Sequence, residues 1–154
     1  MRLPTLALAT LLALPFAAGA AEPATATSPT YDADLAKSLG ADERGMRQYV
    51  LVILKTSPNK MAAGEARTRM FEGHFANMGK LAGEKKLVVA GPLDGKEGRR
   101  GIFVFNTPDI DAAKAWVATA PLIINGEMVA EYHKFYGSAA LMMVNEVHGK
   151  IEKK

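Results

Sequence analysis

Tyr49-Val50-Leu51-Val52-Ile53-Leu54-Lys55 (YVLVILK) decides how this 154-residue chain is read. Four of its seven residues are β-branched or aromatic, and Ser57-Pro58-Asn59 closes the run, which predicts a strand. Val50, Val52 and Leu54 alternate with Leu51 and Ile53, so both faces of that strand are apolar. A half-exposed strand alternates apolar with polar residues; a nearly continuous apolar run predicts cover on both sides.

Met70, Phe71, Phe75, Met78, Leu81 and Ala82 recur at helical spacing between Glu65 and Ala82. Gly64, Gly73 and Gly79 oppose that helix by about 1 kcal/mol each relative to Ala, a cost that burial of the apolar stripe outweighs. Leu87–Ala90 (LVVA) predicts a second strand ended by Gly91-Pro92, and 93–100 (LDGKEGRR) reads as a loop. Gly101–Phe105 (GIFVF) predicts the third strand. Thr107-Pro108-Asp109 reads as an N-cap, a first-turn proline and an acid for the helix dipole. The following helix turns Ile110, Ala113, Trp116, Val117 and Ala120 inward and ends before Pro121, with 121–124 as a further turn. Asn125-Gly126 is a turn, and Met128–Tyr136 (MVAEYHKFY) predicts the last strand.

The order is α+β, a ferredoxin-like βαββαβ arrangement: a four-stranded antiparallel sheet with two helices on one face. The other face is then left bare, although the first strand is apolar there too. Two copies joined sheet to sheet would cover it as a dimeric α+β barrel; a terminal segment of the chain lying on the sheet is the alternative.

The ends of the chain divide further. Arg2, an apolar run over 6–18 and the triplet Ala18-Gly19-Ala20 form the three-part pattern of a secretory signal peptide over 1–20, with cleavage expected after Ala20. The mature chain would lose Arg2, taking the formal charge from +3 to +2. Residues 21–45 read as a linker and N-terminal segment, with a short helix around Leu35 and Leu39; 46–141 form the domain; 142–154 form a tail. The tail predicts an amphipathic helix through Val144, Val147 and Ile151. There is no cysteine, which excludes disulfides, thiolate ligands, a cysteine nucleophile and a lipid anchor at the cleavage site. The expected location is periplasmic or secreted, with no membrane anchor after cleavage. A charge of +2 with acids interspersed supplies no nucleic-acid footprint, and no phosphate- or dinucleotide-binding glycine motif follows any strand.

YVLVILKTSPN, GHFANMGKLAGEKKLVVAGP, RGIFVFNTPDIDAAKAWVATAP and GEMVAEYHKFYGSAAL together resemble the YciI-like (YCII-related) family, which belongs to the dimeric α+β barrel group. The resemblance spans roughly 48–141 and implies a homodimer through the bare sheet face. It also implies a histidine on the first helix acting with an aspartate, and that histidine is His74 here. The aspartate's place, before the proline that ends the second helix, is held by Ala120. Lys85 stands where relatives often place a helix-ending glycine.

His74 lies four residues from both Met70 and Met78, on the inward stripe. An imidazole titrates near pH 6.5 and suits acid or base work around neutrality; a hydrogen-bonded core histidine is the plainer reading of the same position. Asp94, after the second strand, is the substitute acid that topology offers. Arg99 and Arg100 would attract an anionic substrate at a loop mouth, or form a solvated turn. His133 reads as packing on the last strand and His148 as solvated. Three histidines with no shared short spacing argue against a metal site, and no cofactor is implied. Two functions remain open: cofactor-free acid/base chemistry on a small molecule with His74 as the acting group, or a non-enzymatic ligand-binding or interaction protein on the same scaffold.

Overall fold

The apolar run opens into an 11-residue strand, β1 (Met46–Thr56), that holds the centre of the sheet in a computed structural model describing residues 30–153. It pairs antiparallel on one side with β3 (Arg99–Phe105) and on the other with β4 (Met128–Ser138), while β2 (Leu87–Pro92) adds to β3. The spatial order β2-β3-β1-β4 with antiparallel neighbours is the ferredoxin-like arrangement. Four helices, α2 to α5, take their places around this sheet: α2 (Glu65–Gly83), α3 (Ile110–Val117), α4 (Pro121–Ile124) and α5 (Val144–Ile151); a short α1 (Ala33–Ser38) precedes β1. The segment read as a signal peptide lies outside the described residues. Among the described residues no helix is long and apolar enough to cross a membrane.

One face of the sheet presents Val50, Val52, Leu54, Phe103 and Phe105 to Met70 and Leu81 of α2 and to Ala113 and Val117 of α3. Burial of side chains of this size contributes about 1.5–3 kcal/mol each, which is why α2 tolerates its glycines. Gly73 has its own reason: a Cβ there would stand 3.3 Å from Pro121 Cγ, so the missing side chain lets α4 close on α2. The end of α2 is a Schellman motif, with Lys86 N–H donating to Leu81 O and Lys85 N–H to Ala82 O. Lys85 occupies the left-handed position at φ 57° that glycine ordinarily fills.

Local expectations shift in three places. Asp109, not Thr107, caps α3, its carboxylate accepting from Asp111 N–H, while Thr107 Oγ1 accepts from Asp109 N–H. The proline therefore precedes the cap instead of following it. The second helix stops at Val117, because the chain tightens through Thr119 N–H to Trp116 O and Ala120 N–H to Val117 O before Pro121 opens α4. Arg99 and Arg100 belong to β3, not to the preceding loop.

The second face of the sheet is partly closed by the chain itself. After β4, a 3-10 turn (Ala139–Met143) brings Leu141 and Met142 onto Tyr49, Val88 and Val104, and Tyr49 and Val88 are thereby buried. Asn145 on α5 donates to Leu87 O at 2.8 Å, fixing the tail to the edge strand. The Tyr49 hydroxyl donates to Ser138 O at 2.9 Å. The N-terminal segment is also tied in: Arg47 donates to Leu39 O at 2.7 Å, and the Tyr136 hydroxyl donates to Asp42. At the other end of the strands the same face stays open, carrying Ile53, Ile102 and the exposed Val129 beside a Lys55–Glu131 ion pair.

Candidate functional site

The middle turns of α2 set His74 against the sheet, as the four-residue spacing from Met70 requires. Its side chain is 6% exposed and its ring lies 6.0 Å from that of Phe103 on β3 and 5.5 Å from that of Phe75. Nδ1 is buried with no hydrogen-bond partner. An unsatisfied buried nitrogen costs about 1–3 kcal/mol, and native folds leave few such groups. Burial lowers the imidazole pKa below its ordinary value near 6.5, because the apolar surroundings disfavour the cation. At neutral pH the ring is therefore uncharged, able to accept a proton or hydrogen bond at one nitrogen and donate at the other.

His74 forms part of the wall of a cavity of about 280 Å³ between α2 and the β2–β3 end of the sheet. Phe71, Met78, Phe103 and Met128 make the wall largely apolar, and Phe75, 64% exposed, stands at its rim. Arg100 and Gly101 close the β3 side. A break in strand register explains Arg100: Leu54 faces Gly101 but Lys55 faces Arg99, leaving Arg100 as the extra residue of a β-bulge. A bulge interrupts the in-out alternation and re-aims a side chain, so Arg100 contributes to the cavity while Arg99 does not. Glycine at 101 suits this close approach, since a Cβ would sit 3.0 Å from Gly91 O on the neighbouring strand.

The remaining sequence candidates disperse. The Asp94 carboxylate accepts from Lys96 N–H at 3.1 Å and pairs with Lys96 Nζ at 3.4 Å, outside the cavity wall. Arg99 pairs with Glu97 at 2.7 Å. Ala120 is buried at the start of α4 and offers no side-chain oxygen. His133, expected to pack, is instead exposed on β4, opposite Leu51 on the outer sheet face, and His148 is exposed with Nε2 3.9 Å from Glu152. Among the described residues no group of three His, Cys, Asp or Glu is placed to hold a metal ion.

Sequence reading missed a buried ion pair beside the site. Glu127, 3% exposed, receives Arg67 through Nε (3.1 Å) and Nη2 and accepts from Met61 N–H at 2.9 Å. The Arg67 guanidinium also lies 4.9 Å from the centre of the Phe71 ring, itself part of the cavity wall. Glu127 thus fastens α2, through Arg67, and the segment before it, through Met61, to the start of β4. The Asn125-Gly126 turn before it makes Glu127 look solvent-facing; a lone acid directly ahead of the apolar Met128-Val129-Ala130 run was the available signal.

The model of the YCII-related domain family matches residues 48–135. No curated protein gives a significant match.

Proposed function

The chain belongs to the YCII-related domain family, and on that footing we propose that it binds a small molecule in the cavity at His74, where the neutral imidazole does cofactor-free acid/base chemistry. One observation carries this reading: a nine-tenths-buried histidine lines an apolar cavity, and its Nδ1 has no hydrogen-bond partner. A neutral ring in such surroundings is poised as a base toward an acidic C–H or O–H of a bound molecule, in an isomerisation or a hydrolysis. Asp94 has no part in this scheme. The 1–20 pattern supports export to the periplasm or medium, and the open end of the sheet supports a homodimer.

The missing acid at Ala120 favours a second reading, in which the same cavity binds without turnover. A histidine with no carboxylate to orient its tautomer is a poorer catalyst and an adequate hydrogen-bond partner.

Thermal-shift screening of a metabolite library with wild type and His74→Ala tests both. A ligand raises the midpoint by mass action, so hits lost in His74→Ala are expected. Hits that His74→Ala retains in full would remove His74 from the site. Incubating the hits with protein and following them by NMR separates turnover from binding alone.

A further inference from the structure

Within the cavity just described, the distribution of charge narrows the ligand. Among the described residues its wall contains one cation, Arg100, one imidazole, His74, and no Asp or Glu. Arg100 makes no ion pair among the described residues, whereas its neighbour Arg99 is engaged by Glu97. The bulge that separates the two arginines leaves Arg99 neutralised away from the cavity and Arg100, exposed to solvent, uncompensated beside it. Next to it Gly95 has φ 85°, and a Cβ there would lie 3.7 Å from Arg100 Nη1, so the guanidinium rests against bare backbone. In the same wall, the rings of Phe71, Phe75 and Phe103 with Met78 and Met128 offer an apolar bed. A cavity of about 280 Å³ lies just below the usual range of ligand-site volumes, about 300–1,000 Å³.

We propose that the cavity takes a small amphipathic monocarboxylate, with its carboxylate on the Arg100 guanidinium and a body of about one ring's size among the phenylalanines and methionines beside His74. The inference rests on the reading of this cavity as a ligand site and adds the ligand's charge and polarity. Guanidinium and carboxylate match in planar geometry and charge-assisted hydrogen bonding. The low exposure of His74 keeps the far end dry, which suits an apolar body and excludes a second charge there.

The test uses protein labelled with ¹³C at the methionine methyls. Met78 and Met128 report on the cavity; Met142, on the tail-covered face, is the control. Phenylacetate and its neutral amide, phenylacetamide, are titrated into wild type and Arg100→Gln. Phenylacetate is expected to move the Met78 and Met128 resonances and leave Met142 unmoved. The amide should bind wild type about tenfold more weakly, a factor typical of one lost charge-assisted contact. Arg100→Gln should bind acid and amide alike, and its amide titration verifies that the variant is folded. Equal binding of acid and amide to wild type, or an Arg100→Gln protein that keeps the preference, overturns the carboxylate assignment and leaves the cavity as a ligand site. If neither probe moves Met78 or Met128, the cavity itself is not the site and both readings fall.

Discussion

Arg67 on α2 grips Glu127, just ahead of β4, through two guanidinium nitrogens, so that a carboxylate 3% exposed is matched by a cation. The arginine's hydrogen bond, ahead of burial's opposing effect, holds the Glu127 carboxyl below its ordinary value near 4.5. A depressed acid stabilises the fold fully above its unfolded pKa and loses that contribution as pH falls through the folded one. Urea midpoints of wild type are therefore expected to drop below about pH 4.5 more steeply than those of Glu127→Gln. At neutral pH Glu127→Ala should cost about 2–3 kcal/mol. Arg67→Met, which strands the buried carboxylate, should be worse than the double variant Arg67→Met/Glu127→Leu. A double variant less stable than Arg67→Met would show that the stranded carboxylate is not the source of the single variant's loss.

The His74 ring titrates in the opposite chemical sense but the same pH direction. Its folded pKa lies below the unfolded value near 6.5 through burial. Its stabilising contribution is full above about pH 6.5 and fades as acid protonates the unfolded chain first. Imidazole resonances followed by NMR should give a pKa below 6.5, and His74→Phe should flatten the stability profile between pH 6.5 and the folded pKa. A pKa at or above 6.5 would mean that the ring has an acidic neighbour in solution.

Gly101→Ala drives a methyl to 3.0 Å from the Gly91 carbonyl oxygen, backbone against backbone. The strands must part to accept it, at about 1–3 kcal/mol. Because both residues also border the cavity, ligand affinity should fall along with the chemical-denaturation midpoint.

Lys85→Gly removes the penalty of a left-handed lysine at the end of α2. A gain of about 0.5–1 kcal/mol is expected, since the added freedom of the unfolded chain offsets part of the relief. Matched thermal melts of the two proteins measure it; an unchanged or lower midpoint would show that the loop holds this conformation without strain.

For the open end of the sheet, light scattering at micromolar concentration is expected to give twice the mass of one chain. Ile53→Lys, which sets a charge on the uncovered face, should shift the protein toward the monomer without lowering its helix content. A monomeric wild type would remove the homodimer from the proposal.

The strand at 49–55 was legible because apolar residues on both sides of an extended chain have few explanations, and its central place in the sheet follows from them. His74 was legible through its four-residue spacing from Met70 and Met78. What could not be read was relational. The register step that separates Arg99 from Arg100 arises only when β1 and β3 are paired, and nothing in Gly-Arg-Arg-Gly announces it. Glu127 looked like a turn residue because its partner lies 60 positions earlier in the chain. The cover supplied by Leu141 and Met142 depended on which way the chain turned after Ser138.

That cover has a bearing on the pocket. By closing one end of the outer face, the tail confines outside contact to the end where Ile53 lies, and Ile53 is joined by one peptide bond to Leu54 in the cavity wall. A partition one strand thick thus has the cavity on one side and the open end of the sheet on the other. The proposed ligand and the proposed second chain would meet across the same few backbone atoms, so occupancy and assembly should be measured together.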